Sequence, residues 1–345
     1  MNDLPSYSSI DTDDNNQTHR QVPFQFHGEA GAFFRIWIVN LCLTIITLGI
    51  YSAWAKVRTQ QYFYGNTTLD GSSFEYTATP IQILKGRLLA LGLFILYQLI
   101  TALMPVLALP LMLAAALLLP WIITRAMMFR HYNTRYRGIR FGFDGSYLQA
   151  MLAYVLLPLA SAFTAGILYP YAACLQQRWL ANHSRFGTSA FSAALSAGSF
   201  YAIYLSALGL VITTLIMFFV LQFAVPTLIP FMPLILLPFY FMAYAYVRVK
   251  VINLTLNQAH LSTHRFHSTM ETLPYLWILC SNTLAILFTF GLAYPWTCIR
   301  SARYRARCTS VLVTGDMDRF IQQTYADQQA FGEELGDALD LELGV

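Results

Sequence analysis

The chain has 345 residues, of which 57% are hydrophobic and only 11% charged, against about a quarter charged in soluble domains. Its mean hydropathy is +0.50, which argues against an ordinary soluble domain and predicts a polytopic membrane protein. The net charge is +4, yet no Asp or Glu lies between Asp144 and Glu271, so the basic body reads as positive-inside topology and not as nucleic-acid binding.

In chain order, residues 1–32 read as a polar N-terminal tail, the first 22 of them disordered. Asp3, Asp11, Asp13 and Asp14 stand where a cleavable signal peptide would carry basic residues. Seven apolar runs then predict transmembrane helices at Phe33–Ala55, Leu88–Leu103, Val106–Thr124, Tyr147–Ala173, Ser196–Phe223, Thr227–Val247 and Pro274–Cys298. Tight turns are expected near Met104-Pro105 and Val225-Pro226. The connections between runs alternate polar and aromatic residues. Thr67 to Tyr76 reads as a hairpin around Asp70-Gly71, and similar phrases recur at Arg140-Phe141, Arg185-Phe186 and Arg265-Phe266. These predict short β elements at the membrane surface. Residues 321–345 form an acidic C-terminal tail, read as a loose amphipathic helix or a disordered segment.

One phrase recurs. Thr47-Leu48-Gly49-Ile50-Tyr51-Ser52-Ala53-Trp54 returns as Thr289-Phe290-Gly291-Leu292-Ala293-Tyr294-Pro295-Trp296, and a weaker copy runs from Thr164 to Tyr171. The outer copies align without gaps, matching Asn40 with Asn282, Arg58 with Arg300 and Tyr62 with Tyr304. Each copy is taken to mark the exit of a span from the bilayer. Three spans separate the first copy from the second, and an odd number reverses orientation. The predicted fold is therefore all-α, with about seven transmembrane helices in inverted three-helix repeats and short β-hairpin-like surface loops. Repeat 1 covers 33–146, repeat 2 covers 147–273, and a partial third repeat with the last helix covers 274–320. With the N-terminus outside and the C-terminus cytoplasmic, fourteen Lys and Arg fall inside and seven outside, which favours that orientation.

The phrase Phe24-Gln25-Phe26-His27-Gly28, then Leu43 to Tyr51 with Trp54-Ala55 and Tyr62-Phe63-Tyr64, resembles the YjgN family of bacterial inner-membrane proteins. The resemblance covers most of residues 24–320 and implies a multi-pass protein of the Gram-negative inner membrane. It implies no activity and no site residues.

No Asp, Glu, Lys or His falls within the predicted spans, which argues against a carboxylate-driven pump. Asn40 and Asn282 form an intramembrane polar pair, read as lining a path or as packing helices. Trp54, Arg58, Arg130, Arg135, Arg137, Trp296, Arg300 and Arg303 pair aromatics with cations, as expected for interfacial anchoring on anionic headgroups of the lipid bilayer. His260, His264 and His267, beside Glu271, are the one metal-like cluster; a strand would not converge them, so no metal and no cofactor is expected. Of the five cysteines none forms a CxxC pair, and no nucleotide-binding or hydrolase motif is present. The chain is read as a non-enzyme: a channel or carrier for a small solute or lipid, or else a scaffold that binds partners through its loops and acidic tail. A homo-oligomer is left open.

Overall fold

The computed structural model describes residues 19–224, 227 and 232–340. The polar start at 1–18, the turn at Val225-Pro226 and the end of the acidic tail at 341–345 lie outside the described residues.

Strands and helical pairs alternate throughout. β1 (His19–Phe26) leads into α1 (Ala30–Ile46) and α2 (Ser52–Gly65). β2 (Thr67–Leu69) and β3 (Ser72–Tyr76) precede α3 (Pro80–Leu103) and α4 (Ala108–Tyr132). After β4 (Thr134–Tyr136) and β5 (Ile139–Phe143), α5 (Tyr147–Met151) passes through a π turn at Leu152–Leu156 into α6 (Leu157–Phe163), and α7 (Tyr169–Asn182) returns. β6 (Ser184–Phe186) and β7 (Ser189–Ala193) lead to α8 (Ala197–Ala224) and α9 (Met232–Asn257). β8 (Ala259–Leu261), β9 (His264–Ser268), α10 (Thr272–Phe288), α11 (Tyr294–Arg307), β10 (Thr309–Thr314) and α12 (Met317–Asp340) complete the order.

All ten strands join one closed antiparallel barrel in the order β1-β10-β9-β8-β7-β6-β5-β4-β3-β2. The strands alternate cleanly. Phe24, Phe74, Phe141, Phe191 and Phe266 point into the lumen from the odd strands, and Leu69, Tyr136, Phe186, Leu261 and Val311 from the even ones. Their neighbours Gln25, Glu75, Ser192, His267, Arg135, Arg185, His260 and Ser310 take the opposite face by the same alternation. The turns at Asp70-Gly71 and Arg137-Gly138 have two successive positive φ angles, as two-residue hairpins require.

This overturns the all-α expectation. The surface phrases are strands of a closed barrel, and among the described residues three helices are long and apolar enough to cross a membrane: Pro80–Leu103, Pro105–Tyr132 and Ala197–Gln222. The error has a physical origin. The first, fourth and seventh expected spans each join two half-length helices across a turn. α1 runs 17 residues, stops at Thr47, and α2 resumes at Ser52. At 1.5 Å per residue α1 is about 25 Å long, short of a hydrocarbon core of about 30 Å. Each helical pair therefore leaves the barrel and comes back to it, and the inverted three-span units are replaced by five outward-and-return pairs. The barrel also brings its first and last strands together. β1 lies antiparallel to β10, with Val22 opposite Val311 and His19 opposite Thr314. Residues 19–26 are likewise a strand and not part of a polar tail.

The recurring phrase is the tip of a short pair. Leu48 and Gly49 take positive φ, as do Ala165 and Gly166, and Phe290 and Gly291. Gly49 N–H donates to Thr44 O and Gly291 N–H to Ile286 O, each at 2.8 Å, closing the first helix. Thr47 and Thr289 hydroxyls then accept from Tyr51 N and Ala293 N, each at 2.9 Å, opening the second. The barrel end of the pair is clamped too. Tyr62 Oη donates to Glu29 O and accepts from Glu29 N, and Tyr304 does the same with Glu271.

α12 closes the end of the barrel away from the helical pairs. Met317, Phe320 and Ile321 pack against the lumen residues. Thr324 lies over Gly187, where an added Cβ would meet it at 2.6 Å, and Arg137 bridges Asp70 and Asp318. The first part of the acidic tail is thus a docked helix.

Candidate functional site

Three cavities follow the axis and one flank. The first, an axial vestibule of about 360 Å³, sits on the barrel floor between the second helices of four pairs. Tyr64 of α2, Arg130 and His131 of α4, Gln177 of α7 and Thr255 of α9 face it. His131 is held by Met127 O and Ser184 Oγ, at 2.8 and 3.1 Å, whereas the buried Thr255 hydroxyl has no protein partner. Its floor is Phe141, Phe191 and Phe266, which also line the second cavity, the barrel lumen, of about 240 Å³. The ring is continuous: Phe141 and Phe191 stack at 6.4 Å, and Phe191 and Phe266 lie 5.8 Å apart. Below it His264 meets Phe320 edge-to-face at 4.7 Å. Burial pushes the His264 imidazole below its ordinary pKa.

The third cavity, about 500 Å³, opens on the flank between α10 and α11, against the start of α1. Trp277 and Trp296 wall it, and Arg300, Arg303 and Arg307 line it. Arg300 lies over the Trp296 ring at 5.1 Å and donates to Ser281 Oγ and Asn282 Oδ1. Arg303 donates to Gly28 O at 3.2 Å. Among the described residues none of these arginines joins an ion pair; the pairs present are Arg20–Asp70, Arg137–Asp70, Arg137–Asp318 and Arg185–Asp144.

The expected site residues are dispersed. Trp296, Arg300 and Arg303 share the flank cavity, and Arg130 faces the vestibule. Trp54 stacks on Tyr51 at 6.0 Å, and Arg58 lies over the same tyrosine at 5.8 Å. Arg135 sits on β4 opposite Glu75. Arg137 is engaged within the protein. Its hairpin tip faces α12, and its guanidinium is taken by Asp70 and Asp318. Asn40 and Asn282 do not form a symmetric pair. Asn282 donates to Ser301 Oγ at 3.1 Å, while neither side-chain atom of buried Asn40 finds a partner. The three histidines do not converge. His264 is buried against the lumen, and His260 and His267 alternate away from it. Among the described residues no group of three His, Cys, Asp or Glu could hold a metal.

Sequence reasoning missed Trp277 and the phenylalanine ring. A signal was present. A polar residue closes the second helix of the first four pairs and a lumen phenylalanine follows at constant spacing: Asn66 and Phe74, Asn133 and Phe141, His183 and Phe191, Gln258 and Phe266.

Fold and cavities define a class: a small closed barrel carrying a ring of apolar helical pairs, some of membrane length. Residues 21–338 match the family described as bacterial protein of unknown function, DUF898, and the chain belongs to it. The inner membrane protein YjgN of Salmonella typhimurium is 27% identical over 364 residues, covering 88% of this chain and 90% of that protein. The YjgN protein of Escherichia coli O157:H7 is 31% identical over 147 residues, 42% of this chain and 37% of that protein. No solved structure matches.

Proposed function

We propose that this chain is a lipid-handling protein of the inner membrane, whose ring of helical pairs encloses phospholipid of the cytoplasmic leaflet. The observation that carries this reading is α3. It is 24 residues long and has no buried residue, and its long apolar segment has no polar stripe. A helix that is apolar on every side needs apolar contact on every side. The interior of the ring is then filled by acyl chains, as its exterior is. The polar groups of the vestibule lie at the barrel end of those chains, where headgroups would sit, and Arg130 supplies the cation there.

Sidedness follows from charge. No Asp, Glu, Lys, Arg or His occurs at 36–55, 88–124, 147–177, 197–247 or 272–299, so every tip is uncharged. All the Lys and Arg lie in or towards the barrel, which supports a cytoplasmic barrel. The inner-membrane name of the relatives supports the location. A channel for hydrated solutes fits less well, because the lumen is lined by phenylalanine and aliphatic residues. A scaffold acting through a free acidic tail fits less well, because the start of that tail is docked on the barrel.

The test is photolabelling in nanodiscs with a phospholipid that carries a diazirine in its acyl chain. Label on the vestibule residues Met127, Leu180 and Leu256 is expected. If those positions stay unlabelled, and a cysteine placed at Leu256 reacts with a membrane-impermeant maleimide, the vestibule is aqueous. The reading is then wrong and a solute path takes its place.

A further inference from the structure

We propose that the flank cavity between α10 and α11 is a binding site for the phosphate group of an anionic headgroup. This site is separate from the vestibule and specific to the fifth helical pair.

Arg300, Arg303 and Arg307 fall on one face of α11, three and four residues apart, so their charges crowd each other. No carboxylate lines the cavity, and none pairs with these arginines among the described residues. Arg303 and Arg307 are exposed and Arg300 is half-buried, and three like charges lining one cavity with no carboxylate create a positive field that attracts an anion. The arginines are also positioned in advance. Buried Asn282, held by Ser301 and Thr297, accepts from Arg300 and so fixes its guanidinium over Trp296. Arg303 is tied by one nitrogen to Gly28 O, leaving its other N–H groups to face the cavity. A planar guanidinium fork suits phosphate oxygens. Trp277 and Trp296, both substantially exposed, place the cavity at the depth where tryptophan settles between headgroup and chain.

The internal repeat provides a control. In the ungapped alignment of the outer copies, Trp296 and Arg300 have counterparts in Trp54 and Arg58, so these two alone could be general interfacial anchors. Arg303 and Arg307 correspond instead to Gln61 and Gly65, and Trp277 to Arg35. The cationic cluster is thus an addition to one unit and not a property of every pair. This inference does not depend on lipid filling the ring interior. The flank cavity could hold phosphate with an aqueous vestibule, and the vestibule could hold lipid with the flank empty.

Phosphate can come from a lipid or from solution, and chemical footprinting separates the two. The full-length protein is treated with phenylglyoxal in three settings: nanodiscs of phosphatidylglycerol in phosphatidylcholine, nanodiscs of phosphatidylcholine alone, and detergent with or without inorganic phosphate. Modification is read arginine by arginine by peptide mass spectrometry. With a lipid source, phosphatidylglycerol slows modification of Arg303 and Arg307 on the order of tenfold relative to phosphatidylcholine, while Arg58 is unchanged. With a soluble source, inorganic phosphate in detergent gives the same protection. A double variant, Arg303→Gln with Arg307→Gln, should keep its melting temperature and lose the protection of Arg300. Arg303 and Arg307 reacting as fast as Arg58 in every setting would overturn the proposal. So would protection of Arg300 that persists in the double variant.

Discussion

Two asparagines of the same type, at matched positions of the outer repeats, carry opposite energetic roles. Asn282 is satisfied by Ser301, Thr297 O and Arg300. Asn40 is equally enclosed, yet neither its Nδ2 nor its Oδ1 has a partner. A buried polar group without a hydrogen bond costs roughly 1–3 kcal/mol, and replacing it by an apolar group of similar shape removes that cost. Asn40→Leu should therefore leave the melting temperature unchanged or raise it, whereas Asn282→Leu should lower stability by about 1–3 kcal/mol. Thermal unfolding of the two variants in the same detergent decides it. Destabilisation by both, to the same degree, would mean that Asn40 has a partner in the membrane. The sequence showed these residues as a matched pair; whether each would be satisfied depended on the neighbouring helix, where Ser301 accepts from Asn282 while its aligned counterpart Thr59 makes no hydrogen bond to Asn40.

At the scale of the element, the Thr-x-Gly phrase reverses a helix within apolar surroundings without stranding backbone groups. Its glycine is required by conformation alone. Gly49 has φ +94° and nothing within 4 Å of an added Cβ. Gly49→Ala should thus cost about 1 kcal/mol through backbone strain, while Gly92→Ala within α3, which also meets nothing within 4 Å, should cost nothing. Equal effects of the two substitutions on denaturant midpoint would show that the turn relaxes to negative φ. The phrase was legible as a repeat from residue identity. Its structural meaning was not, because two half-length helices joined by an apolar turn have the same hydropathy as one long span. The strands were legible for a different reason. Asp70-Gly71 and the alternating Phe and polar residues are local signals, whereas barrel closure depends on β1 meeting β10, and no local pattern records that pairing.

For the whole molecule, the decisive consequence is sidedness. β2 and β6 belong to one barrel, so single cysteines at Thr67 and Ser184 should react from the same side of the membrane, which is the cytoplasmic one in the proposed orientation. Labelling of inside-out vesicles, and not of right-side-out ones, at both positions is the expected result. Labelling from opposite sides would dismantle the barrel. Charge bias was visible in the sequence, but it was divided between two faces because every apolar run was counted as a full crossing. Counted by helical pairs, the cations fall at the barrel end of the pairs.

Closure through β1 and β10 also sets the order in which this protein can be made. β1 leaves the ribosome before every other strand of the barrel, and its β10 partner after all of them. At about 5–20 residues per second, the His19 to Pro23 part of β1, with Val22, stays unpaired for on the order of tens of seconds. Meanwhile the intervening helical pairs enter the bilayer one after another. An unpaired apolar strand edge is a template for association with other chains. Biogenesis of this molecule therefore hinges on shielding a single strand until translation ends, and a truncation that removes residues 309–314 would leave that strand exposed permanently.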